Sequence, residues 1–139
     1  MRHKKTSSGF VLRFFSGESV LEEFIAFLEE KKVFSGFFYG IGALNKAELA
    51  HFSLEEKKYL SKTFEEDLEV LSFSGNISLK QGKPFVHSHI VLGKKDFSVI
   101  GGHFVSGTVG ATLEVFLQVF PEKIERKKDS KTELFLLEV

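Results

Sequence analysis

Pro84-Phe-Val-His-Ser-His-Ile-Val-Leu-Gly-Lys-Lys-Asp-Phe-Ser-Val-Ile-Gly-Gly-His-Phe104 contains two apolar runs, Val86–Leu92 and Phe97–Phe104, either side of Gly93-Lys-Lys-Asp96. Short β-rich runs punctuated by glycine and aspartate spell a β-hairpin. Side chains alternate faces along a strand, so His87 and His89 point the same way, with Cα atoms about 6–7 Å apart. That separation suits two imidazoles converging on one metal ion at Zn–N distances of about 2.0–2.1 Å. A bulge-free hairpin centred on Lys95 lays His103 beside His87 and Gly101 opposite His89, with room above the glycine for a ring or a substrate. His-x-His by itself also fits a polar patch or a subunit contact. The third histidine on a partner strand is what points to a metal site at His87, His89 and His103.

Outward from the hairpin, the pattern is of one sheet-dominated domain. The 139 residues suffice to bury a core, and only two prolines and 42% apolar residues argue against disorder. Seventeen phenylalanines with no tryptophan fit alternating core positions, and a surplus can line a subunit interface. Acidic and basic side chains both number 19. A chain of zero formal charge lacks the basic excess of an autonomous nucleic-acid binder. The absence of cysteine removes disulfides, thiolate metal sites and thiol nucleophiles. No stretch has the roughly 20 apolar residues of a membrane helix, and no signal-peptide core is visible, so a cytoplasmic setting is expected.

Met1–Ser8 is polar and basic and reads as a flexible tail, with the folded domain spanning 9–139. Phe10–Phe15 reads as a strand. Ser16 or Ser19 caps a helix in which Val20, Leu21, Phe24, Ile25, Phe27 and Leu28 recur at helical spacing and Lys31-Lys32 complement the dipole. Ser35-Gly-Phe-Phe-Tyr-Gly-Ile-Gly42 reads as a strand whose glycines let a neighbour pack close; no helical period follows, so it is not a dinucleotide fingerprint. Further strands are expected at Glu48–Ser53, at Leu68–Leu79 with a bulge at Gly75, at Thr112–Phe120 and at Thr132–Val139. Lys57–Phe64 reads as a connector or hairpin, Gly107-Thr-Val-Gly110 as a turn and Glu122–Ser130 as a charged loop. One helix with about eight strands makes an α+β fold: a mixed, mostly antiparallel sheet with the helix packed on it.

Tyr39-Gly-Ile-Gly-Ala-Leu44, Leu68-Glu-Val-Leu-Ser-Phe-Ser-Gly-Asn-Ile77, Gly82-Lys-Pro-Phe-Val-His-Ser-His89, Gly101-Gly-His103 and Thr112-Leu-Glu-Val115 resemble, in order, the motifs of the plant-and-prokaryote-conserved (PPC) domain. The resemblance covers Phe10 to Val139 and implies a mixed sheet with a packed helix and a homotrimer. Similar plant domains follow AT-hooks in nuclear DNA-binding proteins, where the domain serves assembly and protein contacts. The hook core Arg-Gly-Arg-Pro is absent here, the only arginines being Arg2, Arg13 and Arg126. The fold is also similar to that of acetolactate decarboxylase. Its zinc is held by a His-x-His and a later histidine, a pattern that His87, His89 and His103 match.

Glu114 interrupts an apolar strand and is the candidate catalytic carboxylate, as a fourth ligand, a partner to a ligand or a general acid/base; an edge or interface ion pair is the alternative. His3 and His51 are expected on the surface. Three functions of different class are compatible with these residues. One is a homotrimeric metal protein, with zinc or another transition metal, acting on a small oxygen-rich ligand. The second is a non-catalytic assembly module, and the third a DNA-associated regulator. Charge balance and the missing hook disfavour strong autonomous DNA binding.

Overall fold

The computed structural model describes residues 1–139. Nine strands and one helix follow one another as β1 Arg2–Lys5, β2 Gly9–Phe15, α1 Val20–Lys31, β3 Gly36–Ser53, β4 Lys58–Phe64, β5 Leu68–Lys80, β6 Lys83–Gly93, β7 Val99–Val119, β8 Glu125–Lys128 and β9 Phe135–Leu137. Every strand pair is antiparallel except β5 with β8, so the mixed, mostly antiparallel α+β architecture read from the sequence is the one formed. Pairing runs β3 to β5, β5 to β6, β6 to β7 and β7 back to β3, which closes four strands into a barrel-like ring.

The β6/β7 ladder is short, from Gly93↔Val99 to His89↔His103. Beyond that rung the two strands part, and the helix packs against both. Its apolar stripe Val20, Phe24, Phe27 and Leu28 is buried. Aromatic rings extend from it through the core, Phe24 to Phe38 at 5.0 Å, Phe38 to Phe73 at 4.9 Å and Phe73 to Phe104 at 5.1 Å between centroids. Such tilted and edge-on pairs contribute about 0.5–1.5 kcal/mol each beyond area burial. Ser19, one of the two serines expected to cap the helix, occupies the N-cap without a side-chain hydrogen bond, and Lys32 turns the chain out in the left-handed region.

Four expectations are corrected. Residues 1–8 do not form a free tail: Arg2–Lys5 pair with Phe10–Arg13, and the Met1 amine is bonded to Glu18. Gly107–Gly110 is no turn, because β7 runs through it; register shifts against β3 absorb the bend of a 21-residue strand. Gly75 is paired in register with Phe38 and Ser88 and is not a bulge. A Cβ there would lie 2.2 Å from the His87 carbonyl oxygen, so glycine is required by close packing of β5 on β6. Finally, the charged segment 122–130 contains β8, which docks parallel to β5 because its one buried side chain, Arg126, is satisfied there. The glycines of Gly36–Gly42 do admit a close neighbour: a Cβ on Gly42 would meet the Thr112 carbonyl oxygen of β7 at 2.1 Å.

Candidate metal centre

His87 and His89 lie on the outer face of β6, while Val86, Ser88 and Ile90 between and beside them point into the core. Strand alternation therefore delivers the two imidazoles side by side. The third ring arrives from β7, but two residues along β6 from the expected place: His103 pairs with His89, and Gly101 lies opposite Val91. The hairpin loop sets this. Phe97 takes a left-handed conformation, and Asp96 accepts hydrogen bonds from the Ser98 backbone N–H at 3.0 Å and hydroxyl at 2.6 Å. Phe97 and Ser98 thereby become turn residues, and the strand starts at Val99. The register moves by two, which preserves the face of every side chain. His103 still points outward with the other two.

The three rings form a nearly equilateral triangle, with centroids 5.3, 5.3 and 5.4 Å apart. Their potential ligand atoms lie within 4.8 Å of one another. Three imidazoles aimed at one tetrahedral ion, with Zn–N of about 2.0–2.1 Å, would hold their centroids about 5.2 Å apart. His103 Nδ1 is buried without a hydrogen-bond partner, an atom of the kind that an ion among the rings would satisfy. Burial, then the positive Arg126 and the neighbouring His103 and His89, lowers the pKa of His87 to about 4. Burial followed by His89 lowers that of His103. Both rings are thus held neutral, the state in which imidazole donates a lone pair to a metal.

Arg126 escapes sequence reading because it stands in a charged run, Glu122-Lys-Ile-Glu-Arg-Lys-Lys128. Its guanidinium donates from Nε to Ser78 Oγ at 2.7 Å, from one terminal nitrogen to the Phe135 carbonyl at 2.7 Å and from the other to Asn76 Oδ1 at 2.6 Å. Asn76 is the residue directly opposite His87, which brings the cation to the edge of the histidine group. Tyr59 lies on β4, in a polar segment whose sequence reads as a connector or hairpin. Its ring lies 5.0 Å from that of His103, tilted by 33°. Ala50, Phe52, Tyr59, Gly102 and Leu134 join the three histidines around a recess of about 330 Å³.

Glu114 is not in this recess. It lies opposite Arg13 on one side and Ile41 on the other, and it lines a separate cavity of about 510 Å³ with Glu69 and Leu71. Along the ladders, His89 lies opposite Ser74, Ser74 opposite Tyr39 and Tyr39 opposite Phe116, two residues from Glu114. His51 is exposed at the rim of the recess, and His3, also exposed, packs against Phe27 with ring centroids 5.0 Å apart.

A ring-closed antiparallel sheet sealed by one helix, with three histidines at the fork of two strands, defines a small α+β domain equipped to hold a metal ion. Residues 1–121 match the Plants and Prokaryotes Conserved (PCC) domain, and the chain belongs to that family. A metal-containing protein from Archaeoglobus fulgidus is 38% identical over the full length of both chains, with a TM-score of 0.87. A candidate DNA-binding protein from Bacteroides thetaiotaomicron is 28% identical, with 99% of this chain and 96% of that one covered and a TM-score of 0.96. A Staphylococcus aureus protein similar to α-acetolactate decarboxylase shares the fold at 10% identity and a TM-score of 0.61, over 86% of this chain and 56% of its own. No curated protein matches in sequence.

Proposed function

We propose that the protein is a homotrimeric metal-binding member of the PCC family whose His87, His89 and His103 hold zinc or a similar transition metal. The observation that carries this is the ring triangle, whose spacing suits three imidazoles sharing one tetrahedral ion. Imidazole donors without thiolates or carboxylates favour Zn, Cu, Ni or Fe(II) over Mg or Ca. The 38%-identical Archaeoglobus relative, a metal-containing protein, supports the same reading. A zinc ion with three neutral protein ligands keeps an open position and acidifies water there to a pKa of about 7, which suits chemistry on a small oxygen-rich molecule. The trimer is supported by the outer sheet face, where Phe37, Tyr39, Ile41 and Phe116 remain between 48% and 64% exposed in the single chain. An apolar row of this kind marks a contact surface.

The same exposed row supports a second reading, a non-catalytic assembly module for which the histidine centre is structural. Elemental analysis of untagged protein tests the first. About one transition-metal ion per chain, lost in His89→Ala, is expected; protein that contains none and takes up none near pH 7.5 would refute it. A small-molecule screen then separates the two. Turnover that depends on the metal favours catalysis, and a metal that alters only thermal stability favours the module.

A further inference from the structure

Below the His89/His103 rung, where β6 and β7 diverge, lies a cleft of about 430 Å³. One wall is Pro84-Phe85-Val86 of β6 and the other His103-Phe104-Val105 of β7, with Leu21 and Ile25 of the helix also lining it. Eight of its twelve lining residues are hydrophobic, and its volume lies in the usual range of small-molecule sites. It is not an isolated dent. Ala50, Tyr59 and His103 line both this cleft and the histidine recess, so the two spaces adjoin across the neighbouring Tyr59 and His103 rings.

The charges at the two ends differ. No carboxylate lines the histidine recess. The cation beside it is Arg126, fixed by Asn76, Ser78 and Phe135 and packed 5.1 Å from the centroid of the Phe85 ring, with Lys80 Nζ also 5.1 Å from that centroid. Three of the five guanidinium N–H groups are engaged in those bonds, and the charge cannot be removed by deprotonation near neutral pH. The one carboxylate of the cleft, Glu48, is half-buried and accepts a hydrogen bond from the Ser106 hydroxyl at 3.5 Å. A recess with a fixed positive charge beside it and no carboxylate in its lining attracts anions and repels amines. The adjoining apolar walls reward a hydrocarbon substituent.

We infer that the histidine centre selects monocarboxylates bearing an apolar arm, the carboxylate drawn to the histidine end by Arg126 and the arm lodged in the cleft between Pro84–Val86 and His103–Val105. This rests on the metal-binding reading above and adds the ligand class. A hydrocarbon chain gains about fourfold in affinity for each methylene it fully buries. An amine or a neutral amide of the same length gains the arm contact and loses the charge contact.

The test is a visible-absorption titration of the cobalt(II)-loaded protein at pH 7.5 with acetate, butyrate, hexanoate and hexanamide. Hexanoate should bind at least tenfold more tightly than acetate, with butyrate between, and at least tenfold more tightly than hexanamide. Val105→Trp, at a position 38% exposed and therefore tolerant of bulk, should bring hexanoate within about threefold of acetate. Equal affinity along the acid series overturns the cleft, and hexanamide equal to hexanoate overturns the anion preference, with the metal centre standing in both cases. Failure of cobalt to bind the histidines at all sinks the metal reading and this inference together.

Discussion

Protonation of His87 in chelator-treated protein offers a direct measure of how the fold prepares the centre. Its imidazole titrates at about 4 in the folded chain, held down first by burial and then by Arg126 and the other two rings, against 6.5 for the ordinary side chain. Between those values the unfolded chain carries more protons than the folded one, so stability falls as pH falls. The contribution is fully present above pH 6.5 and is lost on the way down through about pH 4. Between pH 7.5 and 4.5 a shift of this size would cost about 2.5 kcal/mol if fully realised. The ring is partly exposed, so water screens the charge and about 1–1.5 kcal/mol is the expected loss. Urea unfolding at fixed protein concentration, pH 7.5 against 4.5, measures it by comparing the natural sequence with His87→Gln. The variant should lose about 1–1.5 kcal/mol less over the same interval. Identical losses in the two proteins, within about 0.3 kcal/mol, would refute the idea that burial and Arg126 hold this imidazole neutral.

Arg126→Met should cost about 3 kcal/mol in the same unfolding assay, because it strands Asn76 Oδ1 and the Phe135 carbonyl and unpins β8 from β5. For the proposed trimer, a light-scattering mass of three times 15.7 kDa is expected, and Phe116→Glu, which places charge in the exposed row beside Tyr39, should lower it towards that of a single chain; an unchanged trimer would show that this face is not the contact. Glu114→Gln should leave metal content within about 10% of the parent, since the carboxylate lines a different cavity from the histidines; loss of the ion would mean that Glu114 reaches a histidine centre. Duplex DNA should bind no more tightly than about 1 μM at 150 mM salt and without sequence preference, as measured by anisotropy, because formal charge is zero and counterion release needs clustered Lys and Arg.

Alternation along a strand is a property of the backbone, and it was sufficient to place His87 and His89 on one face and to bring His103 onto it by parity. The same period, with the helical stripe Val20 to Leu28, specified a sheet-dominated α+β domain, and the ordered motifs from Tyr39 to Val115 specified its family. Register depended on how many residues the turn consumes. Asp96 and a left-handed Phe97 took Phe97 and Ser98 out of the strand, so His103 met His89 and not His87. The even shift left the faces, and hence the triangle, intact. Arg126 and Tyr59 belong to segments whose local sequence is charged or polar, and nothing in their spacing points inward. Arg126 enters because β8 docks parallel to β5, about 50 residues away in sequence, and Tyr59 because β4 folds back on β3. Glu114, conversely, stands out for its apolar neighbours in sequence, yet it lines a different cavity from the histidines. Local periodicity fixes which way a side chain faces; only the closing of the sheet decides what it faces.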